Sequence, residues 1–236
     1  KLLKIMSKIK VAIIGTGNCA KSLVEGVQFY TENQANIDGM MRSDIGGYGA
    51  KDIEFVCAFD IDERKVNQPL GVALKQRPNS AWDIVPTIDS TAPVYEAPVI
   101  DGYALLMDAY PESNRFLVSE ELRNSTETNR TEWTDKKDRQ WKDKIIGLLK
   151  QHEVEVLINY LPVGSQAATE FWAEICLETG ISFVNCIPVF IASDPAWEKR
   201  FIDAGIPLIG DDMRSQFGAS ILSLSLIHIS EPTRPY

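Results

Sequence analysis

K-V-A-I-I-G-T-G-N-C-A, residues 10–20, is an apolar run that stops at two glycines and continues into a helical pattern. Val11 to Ile14 is rich in β-branched residues and apolar on both faces, as a strand buried within a parallel sheet should be. Ala20, Leu23, Val24 and Val27 then recur at i, i+3, i+4 and i+7, one face of an α-helix. Between strand and helix lies Gly15-Thr16-Gly17-Asn18-Cys19-Ala20, the spacing G-x-G-x-x-A. In a dinucleotide-binding turn each small residue has a task. Gly15 permits the tight turn, Gly17 lets the backbone approach a pyrophosphate, and Ala20 lets the helix pack on the strand. The free N–H groups at the helix start, from Gly17 through Asn18 and Cys19, then face the phosphates. The plainer alternative is an ordinary βα turn with no ligand. The acid that would hold the adenosine ribose should follow within about 20 residues. Here the next strand, Ile53 to Phe59, ends only at Asp60, after a Gly-, Asn- and Asp-rich insertion from Thr31 to Lys51. Asp60 is the candidate for that role, with a helix cap as the alternative.

Working outward, I-D-E-R-K-V after Asp60 suits a short helix start. Pro69, Pro78, Pro86, Pro93 and Pro98 then interrupt the chain, leaving room for short strands near Trp82 to Val85 and Val94 to Val99. From Pro111 to Lys144 the chain is polar, with eight acidic and eight basic side chains, which reads as a solvated insertion ending in a helix. Trp133 and Trp141 are its candidate anchors. Val154 to Tyr160 is a strongly apolar strand, followed by L-P-V-G-S, where Pro162 and Gly164 shape a turn and Ser165 can cap a helix running to about Thr179. Ile181 to Cys186 is the next strand, Asp194 and Pro195 are N-cap and first residue of another helix, and Ile206 to Ile209 is a last strand closed by Gly210-Asp211-Asp212. Strands alternating with helices give an α/β protein with a doubly wound parallel sheet, whose ligands lie at the carboxyl ends of strands. Asp60, Leu161, Pro162, Gly164, Ser165, Asn185, Pro188 and Asp211 all fall at or just beyond such ends and complete the set of cofactor-binding candidates.

The chain has 236 residues, 44% of them apolar, which allows one large domain or one domain with part of another. Lys and Arg number 24 against 33 Asp and Glu. The net charge of -9 argues against nucleic acid and anionic membrane as partners, since both require a basic face. Cys19, Cys57, Cys176 and Cys186 have no C-x-x-C spacing and read as free thiols. With no apolar run of about 18 residues and no secretory signal, the expected location is cytoplasmic. Both ends look non-native. Lys1 to Ile5 precede Met6, and Leu224 to Arg234, L-S-L-I-H-I-S-E-P-T-R, resembles a translated sequencing-library adapter. The expected native span is therefore 6–223, with 1–5 and 224–236 set aside and His228 without a chemical role.

G-T-G-N-C-A-K-S-L-V-E-G-V, F-V-C-A-F-D-I-D, V-L-I-N-Y-L-P-V-G-S, F-V-N-C-I-P-V-F-I-A-S-D-P-A-W and P-L-I-G-D-D-M-R-S-Q-F-G-A together resemble the bacterial and archaeal branch of inositol-1-phosphate synthase, also called inositol-3-phosphate synthase. The resemblance runs from Met6 to Ser220 and is weakest at about 103–144. It implies a Rossmann-like domain that binds NAD, with a catalytic and oligomerisation domain beginning after about 210 and largely missing from this chain. It also implies an isomerase that makes myo-inositol phosphate from glucose 6-phosphate. Bound NAD oxidises the C5 hydroxyl, an aldol closes the ring, and the NADH formed reduces the ketone. Homo-oligomers, expected to be tetramers, go with the family, as does a divalent metal in some members. Where relatives read G-D-D-x-K-S, this chain has Gly210-Asp211-Asp212-Met213-Arg214-Ser215. Arg214, with Asp211, is thus the catalytic candidate that the resemblance implies. An arginine can grip phosphate or an oxyanion but cannot release a proton near neutral pH. The chain alone is accordingly expected not to turn over glucose 6-phosphate. Two other readings remain at this point: a dehydrogenase of a small hydroxy or amino acid, and a non-catalytic NAD-sensing module.

Overall fold

In the computed structural model, which describes residues 8–103, 105–120, 122 and 136–212, the opening stretch forms strand β1, Ile9–Ile14. Helix α1, Asn18–Glu32, follows directly from the glycine turn. The remaining strands are β2 (Ile53–Asp60), β3 (Val94–Glu96), β4 (Val156–Asn159), β5 (Ser182–Asn185) and β6 (Leu208–Ile209). The helices are α2 (Leu70–Ala73), α3 (Lys136–Gln151), α4 (Gln166–Thr179) and α5 (Pro195–Ala204). The six strands make one sheet in the order β3-β2-β1-β4-β5-β6, and every pairing is parallel. The chain starts at the centre, runs out to β3, then returns to lay β4 on the other side of β1. That return leaves the connections after β1 and β4 leading away from neighbouring strands, the crevice where such sheets bind ligands.

Side chains alternate across the sheet, which explains why β1 is apolar on both faces from Val11 to Ile14. Ala12 and Ile14 face a core shared with Phe59, Leu157 and Phe183, covered by Ile145 and Leu149 of α3, Phe171 and Trp172 of α4, and Phe201 of α5. Ile13 faces the opposite core with Ala58 and Val94, covered by Ala20 and Val24 of α1 and by Leu70, Ala73 and Leu74. The polar insertion contributes a small third cluster, in which Trp141 packs against Val99, Tyr103, Val118 and Leu122. Trp133 lies outside the described residues, as do both chain ends and Arg214.

The expectation of a strand at Trp82 to Val85 is not met, nor does β3 continue to Val99. The segment 79–89 instead forms a strap held on α1 by a polar stripe at i, i+3, i+7 and i+10. Asn18 Oδ1 accepts from Ser80 and Ala81 N–H, both at 2.8 Å. Lys21 donates to the Ala81 carbonyl and to Asp83. Glu25 accepts from Ile84 N–H and Lys75, and Gln28 pairs with the backbone of Thr87 and Asp89. Side chains of a helix satisfy backbone groups that a neighbouring strand would otherwise take, so no ladder forms. Lys21 and Glu25 are buried for the same reason. The stretch after Asp60 makes turns before the four-residue α2, without completing the helix its sequence suggested.

Candidate dinucleotide site

The turn after β1 is fixed by its neighbours on both sides. Gly15 N–H donates to the Phe59 carbonyl at 2.8 Å, and Tyr160 N–H donates to the Ile14 carbonyl at 2.9 Å. Gly15 sits at φ +82°, and a Cβ there would lie 2.9 Å from the Tyr160 carbonyl oxygen, so both its conformation and its space exclude a side chain. Gly17 is different. Its backbone is extended, φ -82° and ψ -166°, and a Cβ would meet nothing within 4 Å. Gly17 borders a cavity of about 320 Å³ lined also by Gly15, Asn18 and Cys19 of the glycine motif, Phe59 and Asp60 from β2, Pro78 and Asn79 at the start of the strap, and Leu161, Pro162, Ser165 and Trp172 from the β4 side. This volume is at the small end of ligand pockets, which run about 300–1,000 Å³. Ala20 lies beneath the turn, fully buried in the core, where its small side chain allows the helix to approach β1.

Asp60 lines the cavity, but its carboxylate is bound to the turn. One oxygen accepts from Thr16 N–H at 2.8 Å and from the Thr16 hydroxyl, and the other accepts from Ile61 and Asp62 N–H at 2.7 and 3.0 Å. A carboxylate has about four acceptor positions. Ribose hydroxyls could reach this one only by displacing one of those donors. Ser165 occupies the N-cap position of α4 without making a cap bond. Asp101 caps that helix instead, accepting from Ala167 N–H at 2.7 Å and Ala168 N–H at 2.9 Å. The Ser165 hydroxyl lies against Gly102, where a Cβ would come within 2.1 Å of it, and among the described residues it has no hydrogen-bond partner although the residue is 1% exposed. Nothing in the spacing of the sequence pointed to Asp101, which is 66 residues from the helix start it caps.

The β5 and β6 ends are arranged otherwise. Asn185 Nδ2 donates to the Val189 carbonyl and to Asp211, while its Oδ1 accepts from Asn159. Asp211 also accepts from Ile191, Ala192 and Ser193 N–H, each at 3.0 Å, so its carboxylate holds the turn that leads into α5. Pro188 is exposed. Gly164, Asn185, Pro188 and Asp211 do not line the cavity. Among the described residues no group of three or more His, Cys, Asp and Glu side chains gathers that could hold a metal ion. No helix among them is long and apolar enough to cross a membrane.

The sheet order, the glycine turn at its centre and the crevice between the β1 and β4 connections define a Rossmann-like α/β fold. Within that class, the chain is a homologue of the inositol-3-phosphate synthases. It is 38% identical over 216 residues to the inositol-3-phosphate synthase of Mycolicibacterium smegmatis, covering 91% of this chain and 53% of that one. It is 37% identical over 227 residues to that of Corynebacterium glutamicum, covering 95% and 56%. The chain thus spans about half the length of the curated relatives it matches. Among solved structures it resembles the crystal structure of Ari2, with TM-score 0.70 and 29% identity over 94% of this chain and 60% of that one. A myo-inositol-1-phosphate synthase-related protein from Thermotoga maritima shares the fold, with TM-score 0.66 and 19% identity over 87% of this chain and 55% of that one. No family model matches.

Proposed function

We propose that this chain is the NAD-holding portion of an inositol-3-phosphate synthase, an oligomeric enzyme that at full length converts glucose 6-phosphate to 1D-myo-inositol 3-phosphate. The observation that carries the proposal is the glycine turn, with small residues where the backbone is crowded and open space where a ligand would approach, in a chain homologous to enzymes of that name. When bound, NAD supplies a hydride acceptor that becomes a hydride donor later in the same turnover. The chain's own residues bind and orient. The Gly17 N–H and the first amides of α1 face a pyrophosphate, since the first N–H groups of a helix have no partners within it. Leu161 and Pro162 form the opposite wall, and the Ser165 hydroxyl, without a partner among the described residues, is a polar group available there for the nicotinamide half. Phe59 and Trp172, with ring centroids 5.0 Å apart, make an apolar floor that keeps water out. Asp211 takes part only by holding its own turn in shape.

Titration of NAD against the full chain and a Gly17→Val variant tests this reading. A side chain at Gly17 has room in the protein and blocks the pyrophosphate, so the variant should stay folded and lose measurable binding. Unchanged affinity in a folded variant would sink the assignment. A version extended to the relatives' length, given glucose 6-phosphate, should form inositol phosphate with no net absorbance of NADH, whereas a simple dehydrogenase would accumulate NADH.

A further inference from the structure

Lys65 is fully buried yet, among the described residues, pairs directly with no carboxylate. Its Nζ donates to the Thr16 carbonyl at 2.8 Å and to Asn79 Oδ1 at 3.0 Å, and Asn79 Nδ2 donates to the same carbonyl at 2.9 Å. Thr16, also fully buried, is the middle residue of the Gly15-Thr16-Gly17 turn. Its N–H and hydroxyl are held by Asp60, so this one residue is gripped by a carboxylate at one end and an ammonium at the other. The carbonyl and N–H of a trans peptide point to opposite sides. With the Thr16 carbonyl drawn onto Lys65, the N–H of the same peptide unit, that of Gly17, points away from Lys65, and Gly17 lines the cavity.

We infer that Lys65 is a positioning residue for the cofactor: it locks the Thr16–Gly17 peptide so that the Gly17 amide is presented to a pyrophosphate oxygen. The inference rests on the dinucleotide reading above and goes beyond it by assigning a task to a residue that touches no ligand. A charge buried for fold stability alone would be expected to pair with an acid, because the cost of burying an ammonium is offset best by a carboxylate. Burial lowers the pKa of Lys65, and the nearby Asp60 and Asp62 offset this only in part. The hydrogen bonds of the ammonium nevertheless go to the Thr16 carbonyl and to Asn79, which itself donates to that carbonyl. Polarisation by the cation also makes the peptide a stronger donor on its far side.

The test measures ADP-ribose affinity and the backbone amide resonances of the full chain, in native form and with Lys65→Met or Lys65→Gln. Loss of a charged hydrogen bond that presents the amide should weaken ADP-ribose about 10- to 100-fold in Lys65→Met. Lys65→Gln, which keeps a donor, should fall between. The Gly17 amide proton should move downfield with ADP-ribose in the native chain and in Lys65→Gln but not in Lys65→Met. Should Lys65→Met fail to fold, Lys65→Gln carries the measurement through its smaller loss. Native affinity and a native Gly17 shift in a folded variant would overturn the inference. Failure of the native chain itself to bind ADP-ribose would overturn the dinucleotide reading, a different result.

Discussion

Asp60 and Asp211 occupy comparable places, each at or just beyond the carboxyl end of a parallel strand and each 8% exposed, yet they serve different ends. Both carboxylates are filled by donors from their own chain. Around Asp211 the Ile191 to Ser193 amides turn inward onto the acid, and the acid does not line the cavity. Around Asp60 the inward bonds fix Thr16, and the next residue, Gly17, lines the cavity with open space at its Cα. An acid at a strand end is therefore no guide to a ligand by itself. The directions in which it leaves the neighbouring peptides are a better guide.

Replacing each acid by its amide should break the comparison most directly. Asp60→Asn and Asp211→Asn each swap an acceptor for donors opposite backbone N–H groups, and each should lower stability by about 1–3 kcal/mol in urea unfolding. Only Asp60→Asn should also weaken NAD, by about 10-fold, the size of one charged hydrogen bond. Equal loss of NAD affinity in both variants would erase the distinction.

Acid should separate the regions more gently. Lys21 and Lys75 beside Asp83 hold its carboxyl down to about 2, against an ordinary 3.8. A depressed carboxylate stabilises the fold above its unfolded pKa and loses that contribution as pH falls through the folded one. The strap beside the glycine turn should consequently loosen between about pH 4 and pH 2, and Asp83→Asn should remove that part of the acid dependence of strap amide exchange. Asp83 is 58% exposed at its side chain, so the effect is small and salt-sensitive. Amides of Ile191 to Ser193 should not respond to that substitution.

The smallest effect is on thiols. Burial pushes Cys57 up to about 12 and Cys186 up to about 11, and raises Cys176 well above its ordinary value. Cys19, in the glycine turn, is the partly exposed one of the four. At pH 8 an alkylating reagent should label Cys19 in the native chain and leave Cys186, beside the Asp211 turn, untouched. NAD should slow the labelling of Cys19, as read by mass spectrometry of peptides. Labelling of Cys186 at a similar rate would show that the β5 end is as open as the turn.

By itself the sequence determined the elements whose signals are local. The apolar run of β1, the 3.6-residue pattern of α1, and Asp194 with Pro195 at the start of α5 depend on neighbours a few positions away, and all three are found in the structure. There the Asp194 side chain accepts from Ala196 and Trp197 N–H as an N-cap should. The five quoted segments likewise carried the relationship to the inositol-3-phosphate synthases, because similarity is a property of the string. Tertiary structure alone decided which polar groups meet. Asp101 caps a helix 66 residues away, the strap takes its hydrogen bonds from α1, and Lys65 reaches back 49 residues to Thr16. None of these pairings has a spacing that local geometry imposes. They arise because every buried polar group must find a partner, and which partner is near is set only when the sheet assembles.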